Sequence, residues 1–150
     1  CPLSPAGAPS PPTPYSLLLL GYVASFSTKL SDTCASEVGK AYGKSTFLIT
    51  TFQSVPRGTE GAVSLEGTLA GAVASLALAL LGWGVGLIDL LGILWCVLAA
   101  FIATNLESAI GATLQPRFNW LTNELVNIIN TLIGALAAIF FAVFWSIVLA

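Results

Sequence analysis

The chain reads as an all-α polytopic membrane helical bundle of about four transmembrane helices, with a polar loop and a charged cluster on one side. Three observations lead there. Of its 150 residues, 56% are hydrophobic and only 8% are charged. Together with a mean hydropathy of +0.90, this is the composition of a membrane chain rather than of a soluble domain. Long apolar runs alternate with short polar turns. The few charges are also bunched, with Lys29, Asp32, Glu37, Lys40 and Lys44 inside the single run KLSDTCASEVGKAYGK.

Taken in order, residues 1–14 hold most of the prolines, spaced by Ser, Ala and Gly, and are expected to form a disordered lead. The chain begins at Cys1 and has no methionine, so further sequence upstream is expected. The membrane domain then covers 15–150. YSLLLLGYVASFSTKL, from Tyr15, suits a membrane helix that emerges into the Lys29–Lys44 segment. Residues 45–66 read as a loop punctuated by Pro56, Gly58 and Gly61, with FLITTF as a strand-like piece.

Thr68 to Gly86 is a second span. Gly67, Gly71 and Ser75, four apart, allow a neighbouring helix to come close. Gly82, Gly84 and Gly86 mark the turn beyond it. A third helix is expected from Leu90 to Gly111 and a fourth from Asn123 to Leu149, joined by LQPRFNWLT. Trp83, Trp120 and Trp145 fall near helix ends, where interfacial aromatics belong. Alternating crossings put Lys29, Lys40, Lys44, Arg57 and Arg117 on one side, and the positive-inside bias makes that side cytoplasmic or, in a plastid, stromal.

Composition also excludes. A net charge of −2 argues against a nucleic-acid partner. With no histidine, His-based triads and His-ligated metals are ruled out. Cys1, Cys34 and Cys96 have neither disulfide nor metal spacing, so Cys34 and Cys96 read as small apolar residues. Gly39 to Ser45 imitates a phosphate-binding P-loop, but with three residues between its glycines instead of four, and on a helix.

At helical spacing, Lys29, Asp32, Ser36, Lys40 and Gly43 share one face, and Thr33, Glu37, Lys40 and Lys44 form an adjoining one. Carboxylates with lysines a turn or two away can cradle a metal-bridged phosphate. The plainer alternative is a solvated helix end with intrahelical ion pairs. The fourth helix carries Asn123, Asn127, Asn130, Thr131 and Gly134 as a stripe, and the third offers Thr104, Glu107 and Ser108. Acids inside a membrane are costly and mark function, whereas asparagines also serve as interhelical hydrogen-bonding groups.

SDTCASEVGKAYGK, LITTFQSVPRGTEGAVSLEGTLAG, ESAIGATLQ and LTNELVNIINTLIGA, in this order, resemble the integral membrane family of transmembrane protein 19 and the plant phytyl-phosphate kinases. The resemblance covers roughly residues 22 to 140, and the plant branch is the more similar. It implies an enzyme of chloroplast membranes that converts phytyl monophosphate to the diphosphate for tocopherol and prenyl-lipid synthesis. The SDT-x-ASE-x-G pattern is more loosely similar to signatures of CTP-using polyprenol kinases and cytidylyltransferases, which points to CTP as donor.

The expected function is therefore phosphoryl transfer from a nucleoside triphosphate, with CTP favoured, to an isoprenoid monophosphate. Asp32 and Glu37 are the expected Mg²⁺ ligands, and with Lys40 and Glu107 they form the expected catalytic set. Lys44, Arg57, Asn123 and Asn127 are expected around the nucleotide phosphates. The prenyl tail is expected between helices, near Gly71 and Gly134. Two alternatives stay open: a non-enzymatic transporter or assembly subunit, and a CTP-dependent cytidylyltransferase.

Overall fold

The computed structural model describes residues 11–149. Most of the lead expected over 1–14 therefore lies outside the described residues. Helix α1 runs from Pro14 to Tyr42. Its start is set locally: Thr13 caps it, accepting a hydrogen bond from the Ser16 amide, and Pro14 fills the first turn, where a missing N–H costs nothing. The apolar half and the charged half are thus one continuous helix. Its buried residues, Leu20, Val23, Ala24, Ser27, Thr28 and Ser31, recur every three or four positions.

Strands β1 (Thr46–Leu48) and β2 (Ala62–Ser64) pair antiparallel, with Phe47 opposite Val63. The strand-like reading of FLITTF holds for Phe47 and Leu48, while β2 was hidden in what read as loop. Gly61 between them needs to be glycine twice over. Its φ is +74°, and a Cβ would sit 2.5 Å from that of Ala112.

Helix α2 (Leu65–Gly84) begins three residues earlier than the apolar run suggests, because Ser64 caps it through the Gly67 amide at 3.1 Å. Helix α3 (Leu90–Thr113) is capped by Asp89, which accepts from the Gly92 amide at 2.7 Å. Helix α4 spans Asn123–Leu149, as the sequence indicates.

The four helices alternate up and down. Along α1, Ser31 faces Gly71 and Val23 faces Gly82, while Gly21 faces Ile139 and Thr28 faces Gly134. Helices α2 and α4 therefore both run antiparallel to α1. Helix α1 packs against all three others. The core is built of small side chains, including Ala24, Ala79, Cys96, Ala99 and Ala138. Large apolar side chains such as Leu80, Leu132 and Phe140 face outward. That inside-out distribution suits hydrocarbon, where close backbone approach rather than apolar burial holds helices together.

The all-α bundle of four helices is as expected, and among the described residues three of them, α2, α3 and α4, are long and apolar enough to cross a membrane. Helix α1 has the length, but its C-terminal half carries the charged cluster.

Candidate active site

The antiparallel order brings the C-terminal halves of α1 and α3, the β-hairpin and the N-terminal turns of α2 and α4 to one end. All the basic side chains belong to this end. Of the acids, Asp89 alone belongs to the other. The polar end is thus assembled from every element of the chain.

Lys29 ties α1 to α4. Its Nζ donates to Asn127 Oδ1 at 2.5 Å and to Asp32 Oδ2 at 3.3 Å. One turn along α4, buried Asn130 donates through Nδ2 to Glu107 Oε2, joining α4 to α3. The α4 stripe therefore does what amides in a membrane usually do, cross-linking helices. In doing so it orients one lysine and one acid. Asp32 completes the arrangement from α1, lining the same cavity as Glu107.

Two adjoining cavities open around these groups, of about 110 and 60 Å³. Each is several times the roughly 10–15 Å³ that one water needs. Both are lined by Asp32, Ser36, Ser64 and Ser108. The larger adds Glu107, Lys40 and Thr59, with Gly58 and Gly61 forming its wall beneath the hairpin loop. The smaller extends between α2 and α3 past Thr104. Thr104 Oγ1 and Asn130 Oδ1 are buried oxygens without a hydrogen-bond partner.

Of the residues expected from sequence, Asp32, Glu107 and Lys40 are brought to one cavity. Asn127 joins them through Lys29. Glu37 is not brought there. Five residues after Asp32 on a helix, it points elsewhere, and it pairs with Lys40 at 3.2 Å on an exposed face. Lys44 is exposed just past the end of α1 and lines neither cavity. Arg57 is exposed and donates to the Ala41 carbonyl at 3.3 Å, satisfying an orphan acceptor in the last turn of α1. Asn123 opens α4 at the same end, outside both cavities.

Lys29 and Asn130 were not among the expected site residues. Their signals were Lys29 three residues before Asp32 and Asn130 in the α4 stripe. Ser64 was signalled only as a polar residue at the start of the second span, and Thr59 by nothing beyond a loop composition.

A closed metal centre is not what the polar end offers, since among the described residues no three acids or cysteines cluster as ligands. Two carboxylates lining one cavity with hydroxyls beside them are a different donor set. It fits a magnesium ion that keeps water and phosphate oxygens as its remaining ligands.

Comparison with known proteins agrees with this architecture. The family model described as integral membrane protein DUF92 matches residues 6–135. An uncharacterized membrane protein of Synechocystis sp. is 74% identical over 129 residues, covering 85% of this chain and 50% of its own length. Protein VTE6, chloroplastic, of Arabidopsis thaliana is 56% identical over 125 residues, 82% of this chain and 38% of that protein. An uncharacterized membrane protein of Methanocaldococcus jannaschii is 37% identical over 121 residues, 81% of this chain and 50% of that protein. The chain thus spans half or less of the length of these relatives. No solved structure matches. The four-helix arrangement, the lipid-facing apolar surface and the match across most of the chain lead to one conclusion: this chain belongs to the DUF92 family of integral membrane proteins.

Proposed function

We propose that this chain handles phosphate in a membrane kinase that transfers a phosphoryl group from a nucleoside triphosphate, with CTP the favoured donor, to an isoprenoid monophosphate such as phytyl phosphate. The observation that carries the reading is the gathering of Asp32, Glu107 and Lys40 around one cavity at the polar end of an otherwise apolar bundle. The resemblance to plant phytyl-phosphate kinases supplies the substrate class. The chloroplastic Arabidopsis relative makes a chloroplast membrane the proposed location.

In such a transfer, an oxygen of the acceptor phosphate forms a bond to the γ-phosphorus. The bond from that phosphorus to the bridging oxygen breaks, and the nucleoside diphosphate leaves with the electron pair. The acceptor is already anionic, so no strong base is needed and the lack of histidine is no obstacle. What the protein must supply is positioning and charge neutralisation. Asp32 and Glu107 would hold Mg²⁺, which when bound neutralises phosphate charge. Glu37 is left to its pair with Lys40. Lys40 at the cavity wall would take a donor phosphate, with Lys44 and Arg57 further out. Lys29, fixed by Asn127, orients Asp32.

The test is direct. The full-length protein containing this chain is incubated with phytyl monophosphate, Mg²⁺ and each of CTP, ATP, GTP and UTP, and products are identified by mass. The expected product gains one phosphate. A product carrying CMP would make the protein a cytidylyltransferase, and no product with any nucleotide would remove the kinase reading.

A further inference from the structure

The smaller cavity is not confined to the charged end. It begins at Asp32, Ser36 and Ser108 and continues along the bundle to Gly71, Ala72 and Phe101. Phe101 and Ser108 are seven residues apart on α3, so the cavity descends about 10 Å at roughly 1.5 Å per helical residue. Its chemistry changes on the way, from the Asp32 carboxylate and several hydroxyls, through Thr68, Thr104 and Asn105, to glycine, alanine and a phenyl ring. Phe101 is 49% exposed and Ala72 is half-buried. The apolar end is therefore the outer surface of the bundle, where the neighbours are lipid tails. Helices α2 and α3 also pack less extensively than any other helix pair making substantial contact. Both small-residue positions expected to receive a prenyl tail are already packed, Gly71 against Ser31 of α1 and Gly134 against Thr28. The Thr28 side chain occupies the space where a Cβ would project.

We propose that the α2–α3 cleft is a lateral portal for the isoprenoid tail of the acceptor. Its phosphate lies at the polar end beside Ser36 and Ser108, its first isoprene units lie against Ala72 and Phe101, and the rest of the chain runs into the bilayer. The proposal rests on the prenyl-phosphate kinase reading and adds to it a path and two specificity-determining residues. A single-tailed phosphate is half water-soluble and half lipid-soluble. A cleft that is polar at one end and open to lipid at the other holds both halves without drawing the tail through the polar loop.

Two measurements on the full-length membrane-embedded protein test this. A prenyl monophosphate with a diazirine on its second isoprene unit should crosslink to α2 and α3 near Ala72 and Phe101. Crosslinks confined to α4 or to the β-hairpin would overturn the proposal. Separately, Ala72→Phe narrows the cleft and should lower the ratio of kcat/KM for phytyl over dimethylallyl monophosphate by about tenfold, the scale of discrimination an apolar pocket provides. Leu132→Phe, on the exposed face of α4, should leave that ratio unchanged. An unaltered ratio in a folded, active Ala72→Phe protein also overturns the proposal. If the unmodified protein phosphorylates neither acceptor, the kinase reading falls, and the crosslink pattern still decides the cleft.

Discussion

Asp32 sits where two roles compete. It pairs with Lys29 at 3.3 Å, as a carboxylate at a helix surface would, and it also lines a cavity together with Glu107. Asp32→Asn separates the roles, because it keeps size and hydrogen bonding while removing the charge. If Asp32 is a ligand, turnover should fall at least about 100-fold with the unfolding temperature in detergent nearly unchanged. If it only pairs with Lys29, the change should cost roughly 0–1 kcal/mol of stability and little activity. Glu37→Gln is the counterpart. Sequence spacing made Glu37 a ligand, but its exposed pairing with Lys40 leads us to expect activity within about twofold of the parent. A collapse of activity in Glu37→Gln would restore the original pair. For the phosphate contacts, Lys40→Ala should weaken nucleotide binding by about 1.5–3 kcal/mol, measured as KM. Lys44→Ala should weaken it less, because Lys44 lies outside the cavity that Lys40 lines.

At the scale of the element, the α1–α2 contact depends on missing side chains. Gly67 and Gly71 on α2 lie against the backbone carbonyls of Ala35 and Ser31 on α1, and a Cβ on Gly71 would come within 2.9 Å of Ser31 O. Because Asp32 rides on that stretch of α1, the same contact positions the acid. Gly71→Val should therefore destabilise the bundle by about 1–3 kcal/mol, read as a lower unfolding temperature in detergent. Gly84→Ala is the matched control, since its Cβ would meet nothing within 4 Å. Equal losses in the two variants would show that glycine content, not close approach, matters there. The spacing of Gly67, Gly71 and Ser75 was legible in the sequence, because a helix repeats its face every three to four residues. Which helix it would meet was not. Nothing local in α2 distinguishes α1 from α3 as the partner.

For the whole molecule, topology is the measurable quantity. With the hairpin and the α3–α4 connection at one end and the α2–α3 turn at the other, single cysteines at Gly58 and Arg117 should react with an impermeant reagent from the same side. A cysteine at Gly84 should react from the opposite side. Reaction of Gly58 and Gly84 from a common side would break the alternating arrangement. The experiment belongs in the full-length protein, because the match covers half or less of each relative's length.

Helix extents, the lipid-facing character of the surface and the one-sided charge were determined by the sequence itself. Each depends on properties carried along the chain: apolar runs of bilayer length, a helical period in the small and polar residues, and turns marked by Pro and Gly. The family was equally legible, because its motifs are long and contiguous. The partners of the polar side chains were decided only by tertiary structure. Asp32 shares its cavity with Glu107 rather than with Glu37, and Lys29 meets Asn127 across 98 positions of chain. Spacing on one helix says which residues share a face, but not what that face will meet. The β-hairpin shows the same division. Three residues on each strand are too few to carry a period, so β2 exists only because the loop returns and pairs Phe47 with Val63. That pairing in turn lays Gly61 against α3 and makes it part of the wall of the cavity that Asp32 lines.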